Sequence, residues 1–215
     1  MLMEMIIKSF LVGAIGGWFA GPIFMLVMQR AVTRGFFSGV FSALGTSIVE
    51  GTFFGLALAG LLQVSYYDGW IVHTLELVGG IFLIFMGIRV LIARHAIQQI
   101  PVVGRGGFFW MAFSAALITL SNPIAILFYA GVAAKLFSQY IVQRLPMHVI
   151  LYSGTAVSSG AFFTLSLVSL LASRVGNFFS ERFQTFITSL MGVAFFGIGV
   201  YLLFNLTMAG IRFWG

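Results

Sequence analysis

Four uninterrupted stretches of this chain, residues 9–29, 106–134, 149–173 and 183–211, are mostly apolar and carry no charged side chain. A helix needs ~20 such residues to cross the hydrocarbon core of a bilayer. Residues 35–62 and 70–88 qualify as well, except for single acids at Glu50 and Glu76. A segment in lipid must satisfy its own backbone hydrogen bonds, which makes each stretch a helix. The expected fold is therefore all-α integral membrane, with six transmembrane helices joined by short polar links. The first run is longer than the ~7–15-residue core of a signal peptide, and it has a counterpart later in the chain. It is expected to stay in the mature protein.

Composition supports this. Charged residues make up 7% of the chain and hydrophobic ones 60%, against ~25% charged in ordinary soluble domains. So few charges cannot cover a soluble globule, which excludes a soluble enzyme, a nucleic-acid binder and a disordered tail. The net charge of +6 thus speaks of membrane orientation rather than of nucleic acid. There is no cysteine, and His73, His95 and His148 stand far apart. No disulfide, thiolate nucleophile, metal site or cofactor is expected. No nucleophile–base pair is visible either, so the chain is not read as an enzyme.

Lysine and arginine in short loops favour the cytoplasmic side. With the N-terminus outside, Arg30, Arg34, Arg89, Arg94, Arg105, Arg174 and Arg182 fall inside, against Lys8, Lys135, Arg144 and Arg212 outside. The loop around Tyr66, Tyr67 and Asp68 has no cation and belongs outside. Both termini are expected on the outer face.

The chain also repeats itself. Residues 44–62 lie over 153–171 without a gap, and nine of nineteen positions are identical, including Gly45/Gly154, Thr46/Thr155 and Gly51/Gly160. Upstream, Gly21-Pro22-Ile23 matches Asn122-Pro123-Ile124, and downstream Gly80 and Gly87 match Gly192 and Gly199. The chain then forms a single transmembrane domain, 1–215, with repeat one over about 1–105 and repeat two over about 106–215. Three helices per repeat is an odd number, so the second copy enters the membrane from the opposite side. Such a 3+3 inverted-topology repeat is an architecture of secondary transporters. It points to export or import by alternating access rather than to a static anchor.

Few residues in these spans could carry chemistry. Pro22 and Pro123 occupy equivalent places, preceded by Gly21 and Asn122. Proline removes a backbone donor and breaks or kinks a helix. The exposed helix start suits a substrate carboxylate, although a kink used only for packing is the plainer alternative. Glu50 is the sole ionisable group near the middle of its span, with Thr46 one turn and Ser42 two turns before it, so one inward stripe is polar. Its repeat mate is Ser159. Burial disfavours a carboxylate's charge, and this suits a proton-coupled carrier. The alternative is a protonated acid that merely bonds a neighbouring helix. Glu76 is a second proton-site candidate, a gate partner for a cation, or an interfacial residue reached by water. Gly13, Gly17 and Gly21 form a row that lets helices approach closely.

With these residues in place, the chain resembles the LysE/RhtB family of amino-acid exporters over nearly its whole length. The resemblance rests on Ala20-Gly21-Pro22, Arg34-Gly35, Ala43-Leu44-Gly45 with Glu50, the run Leu77–Ile88 around Gly79-Gly80 and Gly87, and Leu120-Ser121-Asn122-Pro123. It implies a bacterial inner-membrane exporter of amino acids or related small metabolites, driven by proton motive force. Three positions depart from the family's habit. Ala20 replaces the first proline of Pro-Gly-Pro, Ile124 the lysine of Asn-Pro-Lys, and Glu76 a lysine before the glycines.

The expected substrate-binding residues are Gly21, Pro22, Thr46, Glu50, Asn122 and Pro123, with Glu50 and Glu76 for proton coupling. The expected partners are a small-molecule substrate, protons and the lipid bilayer, with a homo-oligomer left open. A metal or small-cation exporter and a non-transporting scaffold are the rival readings.

Overall fold

The structure, a computed structural model, describes residues 2–19, 22–64, 69–92, 106–141, 145–175, 185–186, 189–190, 192–201 and 203–204. Among the described residues seven helices follow in order: α1 Leu2–Phe19, α2 Pro22–Arg34, α3 Phe36–Val64, α4 Gly69–Ile92, α5 Phe108–Leu120, α6 Pro123–Ile141 and α7 Met147–Val175. A further apolar helical stretch covers Gly192–Tyr201. There is no strand among the described residues.

Two helices, over Phe36–Gly60 of α3 and Met147–Arg174 of α7, are long and apolar enough to cross a membrane alone. The first and fourth expected spans are each divided in two. Leu2–Trp18 and Ile23–Arg34 meet at 69°, and Phe108–Leu120 and Ala125–Ala134 at 65°. Counting each bent pair as one span gives up to four, while Leu77–Arg89 and Gly192–Tyr201 are shorter apolar helices. The prolines cause the divisions locally. Each stands as the first residue of a helix, α2 or α6, where its missing N–H is no loss and its fixed φ suits the turn.

The bundle is inside out relative to a soluble protein. Leu44, Ile48 and Leu56 on α3 and Leu151, Phe163 and Leu171 on α7 are exposed, while Ser38, Ser42, Thr46 and Ser47 are buried. Lipid as the surrounding solvent explains this distribution.

α3 and α7 form the central pair and run antiparallel, with Gly39 against Ser169, Gly51 against Gly154 and Ser158, and Gly55 against Ile150. α1 lies parallel to α7, with Gly13 over the Val157 backbone and Gly17 over Ala161 and Thr164. A Cβ at Gly13 would collide with the Val157 carbonyl, so the helices touch backbone to backbone. α3 also packs on α2, α5 and α6. α4 meets the Gly192–Tyr201 stretch at two places, Gly80 with Gly199 and Gly87 with Gly192. The α2–α3 turn is a single residue, Gly35, at φ +87°, a left-handed conformation that costs glycine little.

The apolar interior falls into two clusters. Met5, Val12, Phe54, Leu58, Phe128, Val149 and Val157 form one. Ile23, Phe24, Val27, Ala43, Leu165, Val168 and Ala172 form the other, with Ile118 beside them. Between them α3 contributes Gly45, Thr46, Ser47, Glu50 and Gly51, and α7 contributes Ser158, Gly160 and Thr164. Both helix breaks separate a residue of one cluster from a residue of the other, Val12 from Ile23 and Ile118 from Phe128. They therefore lie at the level of this small, polar layer.

Candidate functional site

Glu50 is 1% exposed, and its Oε2 has no hydrogen-bond partner. Opposite it, on α6, stands Tyr129, equally buried, whose hydroxyl also lacks a partner. The two side chains are close enough to interact as a hydrogen-bonding pair, although the hydroxyl and Oε2 fall short of full hydrogen-bond geometry. The hydroxyl fits there because position 16 of α1 is glycine; a Cβ would collide with it. Unsatisfied buried polar atoms are rare in folded proteins and call for a specific explanation.

The rest of the polar layer is built by helix spacing. Ser38, Ser42, Thr46 and Glu50 recur every fourth residue on α3 and are all buried, so they line one face. The Ser42 hydroxyl donates to the Ser38 carbonyl at 2.9 Å. Across from Thr46, the Thr119 hydroxyl of α5 donates to the Ala115 carbonyl at 2.8 Å and lies 3.3 Å from the Thr46 hydroxyl. Asn122 immediately precedes α6 and is buried. Its carbonyl accepts from Ile126 N–H at 3.4 Å and its own N–H donates to Thr119 at 3.0 Å. The residue thus holds both sides of the break.

Of the residues expected at the site, Thr46, Glu50 and Asn122 lie in the buried interior. Pro22 and Pro123 open the two second half-helices. Gly21 lies outside the described residues, as does the side chain of Glu76, whose backbone is in α4. The described residues hold no group of three histidines or acids fit for a metal ion.

Two residues escaped the sequence reading. Tyr129 is one tyrosine in an apolar helix, and nothing in the sequence tied it to Glu50. Arg30 was counted among the charges of an inner loop; it is instead a buried residue of α2, 1% exposed. Its Nη1 donates to the Ser42 hydroxyl at 2.9 Å and to the Met111 carbonyl at 2.8 Å, and its Nη2 to the Ser114 hydroxyl at 2.8 Å. The available signal was Ser42, two turns from Glu50 on the same face.

Buried polar groups between helices broken at mid-span, in an apolar-surfaced bundle, define a membrane transporter of small molecules. The model of the LysE type translocators matches residues 15–206, and the chain belongs to that family. It is similar to the threonine efflux protein of Escherichia coli, 28% identical over 195 residues, covering 86% of this chain and 90% of that one. It also resembles the leucine efflux protein of Salmonella choleraesuis, 26% identical with coverage of 85% and 86%. An uncharacterised membrane protein of Synechocystis is 26% identical, with coverage of 84% and 86%. No solved structure matches the chain significantly.

Proposed function

We propose that this protein exports amino acids or closely related metabolites across the bacterial inner membrane by alternating access, coupled to proton entry. The observation that carries the reading is Glu50, a buried carboxyl with an unpartnered oxygen, set between two apolar clusters at the level of both helix breaks. The relatives' names, threonine and leucine efflux proteins, supply the substrate class. The starts of α2 and α6, with Gly21, Pro22, Asn122 and Pro123, receive the carboxylate, and Thr46 lines the space beside it. Glu50 binds the substrate amine and a proton in turn, and Glu76 is a second proton site. The apolar clusters above and below this layer exclude water, as an occluded intermediate requires.

Six spans in a 3+3 inverted repeat are part of the same proposal. Its support is an exchange of contacts. In sequence Gly80 is the mate of Gly192, and Gly87 of Gly199. In space Gly80 meets Gly199, and Gly87 meets Gly192. A twofold axis relating the repeats turns the first contact into the second. Both termini then face the periplasm, in keeping with the arginine bias.

The test is efflux from proteoliposomes loaded with labelled threonine or leucine under an imposed pH gradient. Wild type accelerates efflux when the gradient is applied, whereas Glu50→Gln, which keeps the shape but cannot ionise, loses that acceleration. An undiminished response in the variant would remove Glu50 from coupling.

A further inference from the structure

The reading above leaves one buried charge without a task. Arg30 lies in α2 with 1% exposure. Among the described residues no acid pairs with it, and the ion pair found there is Lys8 with Glu4, on the surface of α1. Its partners are two hydroxyls and one carbonyl. Burying a cation among neutral acceptors offsets only part of its lost hydration. Ionisable groups within membrane helices are by default candidates for ligand or ion handling. A guanidinium has five N–H donors. Three bonds are made, and the buried Nε has no partner. Arg34, one turn further along α2, adds a second positive charge.

The surroundings say what such a group would hold. From Arg30 the polar face of α3 continues without an apolar gap through Ser42 and Thr46 to Glu50, with Ser114 and Thr119 of α5 on the facing side. One end of this buried stripe is cationic and the other is acidic. Ser42 and Glu50 are eight residues apart, which is ~12 Å along a helix. That exceeds the one-carbon separation of amine and carboxylate in an α-amino acid. The two ends therefore serve a zwitterion in succession rather than together.

We propose that Arg30 is a carboxylate subsite on the transport route, separate from the helix starts at Pro22 and Pro123. The planar donor fork takes a carboxylate in bidentate fashion. To do so it gives up the Ser42 and Ser114 hydroxyls that occupy it in the closed arrangement. This assignment rests on the amino-acid exporter reading.

The experiment measures efflux kinetics of labelled threonine and leucine in proteoliposomes, with threoninamide and leucinamide as competitors that lack the carboxylate. Arg30→Gln raises KM for the amino acid at least tenfold and leaves the amide's inhibition constant where it was. Arg30→Lys, which keeps the charge but loses the fork, raises KM severalfold. The double variant Ser42→Ala/Ser114→Ala removes the competing acceptors and lowers KM. Should Arg30→Gln fail to insert, the opposite signs of the lysine and double-alanine variants carry the same comparison. Equal losses of kcat in Arg30→Lys and the double variant, with KM unmoved, would make Arg30 a tether between helices and overturn the proposal. If wild type moves neither amino acid, the exporter reading itself fails, a result distinct from any effect at Arg30.

Discussion

The Tyr129 hydroxyl and the Glu50 carboxyl stand across from each other on α6 and α3, each with a buried oxygen that no donor or acceptor satisfies. Removing a hydroxyl whose contact with Glu50 falls short of full hydrogen-bond geometry forfeits little, and relieves a desolvation cost of ~1–3 kcal/mol. Tyr129→Phe is therefore expected to be at least as heat-resistant in detergent as wild type. Transport should nevertheless fall about tenfold, the scale of one lost hydrogen bond of ~1.4 kcal/mol at the step where Glu50 changes partners. Thermal unfolding beside efflux kinetics checks both halves, and full activity in the phenylalanine variant would leave Tyr129 a packing residue. The burial of Glu50 was legible in the sequence because a lone acid in an apolar run has few places to sit. Tyr129 was not, since its meaning depends on a helix that the chain reaches only seventy-odd residues later. Arg30 was misread for a related reason. With Arg34 four residues on, it looks like the charged end of a span, and only the packing of α2 against α3 and α5 turns it inward.

The broken helices are the elements that set this site apart from an ordinary bundle. The two bends, 69° and 65°, nearly agree, and each second half begins on a proline. Replacing proline by alanine restores an N–H and removes the ring that clashes with the preceding turn. Pro123→Ala is expected to let α5 and α6 approach one continuous helix, since Asn122 already bonds to both. Pro22→Ala should do the same for α1 and α2. Helicity by circular dichroism should stay level or rise slightly, and stability should change by about 1 kcal/mol or less. Efflux should drop at least tenfold in each variant and further in the pair. Normal efflux from the double variant would reduce the prolines to packing devices. The positions of the breaks were readable from the paired prolines, and α3 and α7 begin and end within a few residues of the expected spans. The charge-free run begins at Ser9, whereas α1 begins at Leu2. Lys8 seemed to end the apolar run, yet the helix continues to Leu2 because Lys8 pairs with Glu4 one turn away on an outer face. What the sequence could not give was the bend itself, which depends on the neighbours each half-helix finds.

For the whole molecule, two apolar clusters closing one polar layer amount to a route shut at both ends. The proposed alternating access requires each end to open in turn, and α3 with α7, the central packed pair, is the seam to test. Position 39 lies against 169 towards one end of that seam, and 55 against 150 towards the other, with Gly51 and Gly154 between. The chain contains no cysteine, so introduced pairs react without background. Gly39→Cys/Ser169→Cys and Gly55→Cys/Ile150→Cys are both expected to cross-link under mild oxidation. Each lock should then abolish efflux, because a carrier held shut at one end completes no cycle, and reductant should restore it. The Ser169 variant also loses a hydrogen bond to the Phe36 carbonyl, so its reduced form is the proper control for its oxidised form. A carrier in which only one end moves would lose transport with one lock and keep it with the other. A static scaffold would be indifferent to both, so the comparison of the two locks decides whether the repeated halves of this chain work as alternate gates.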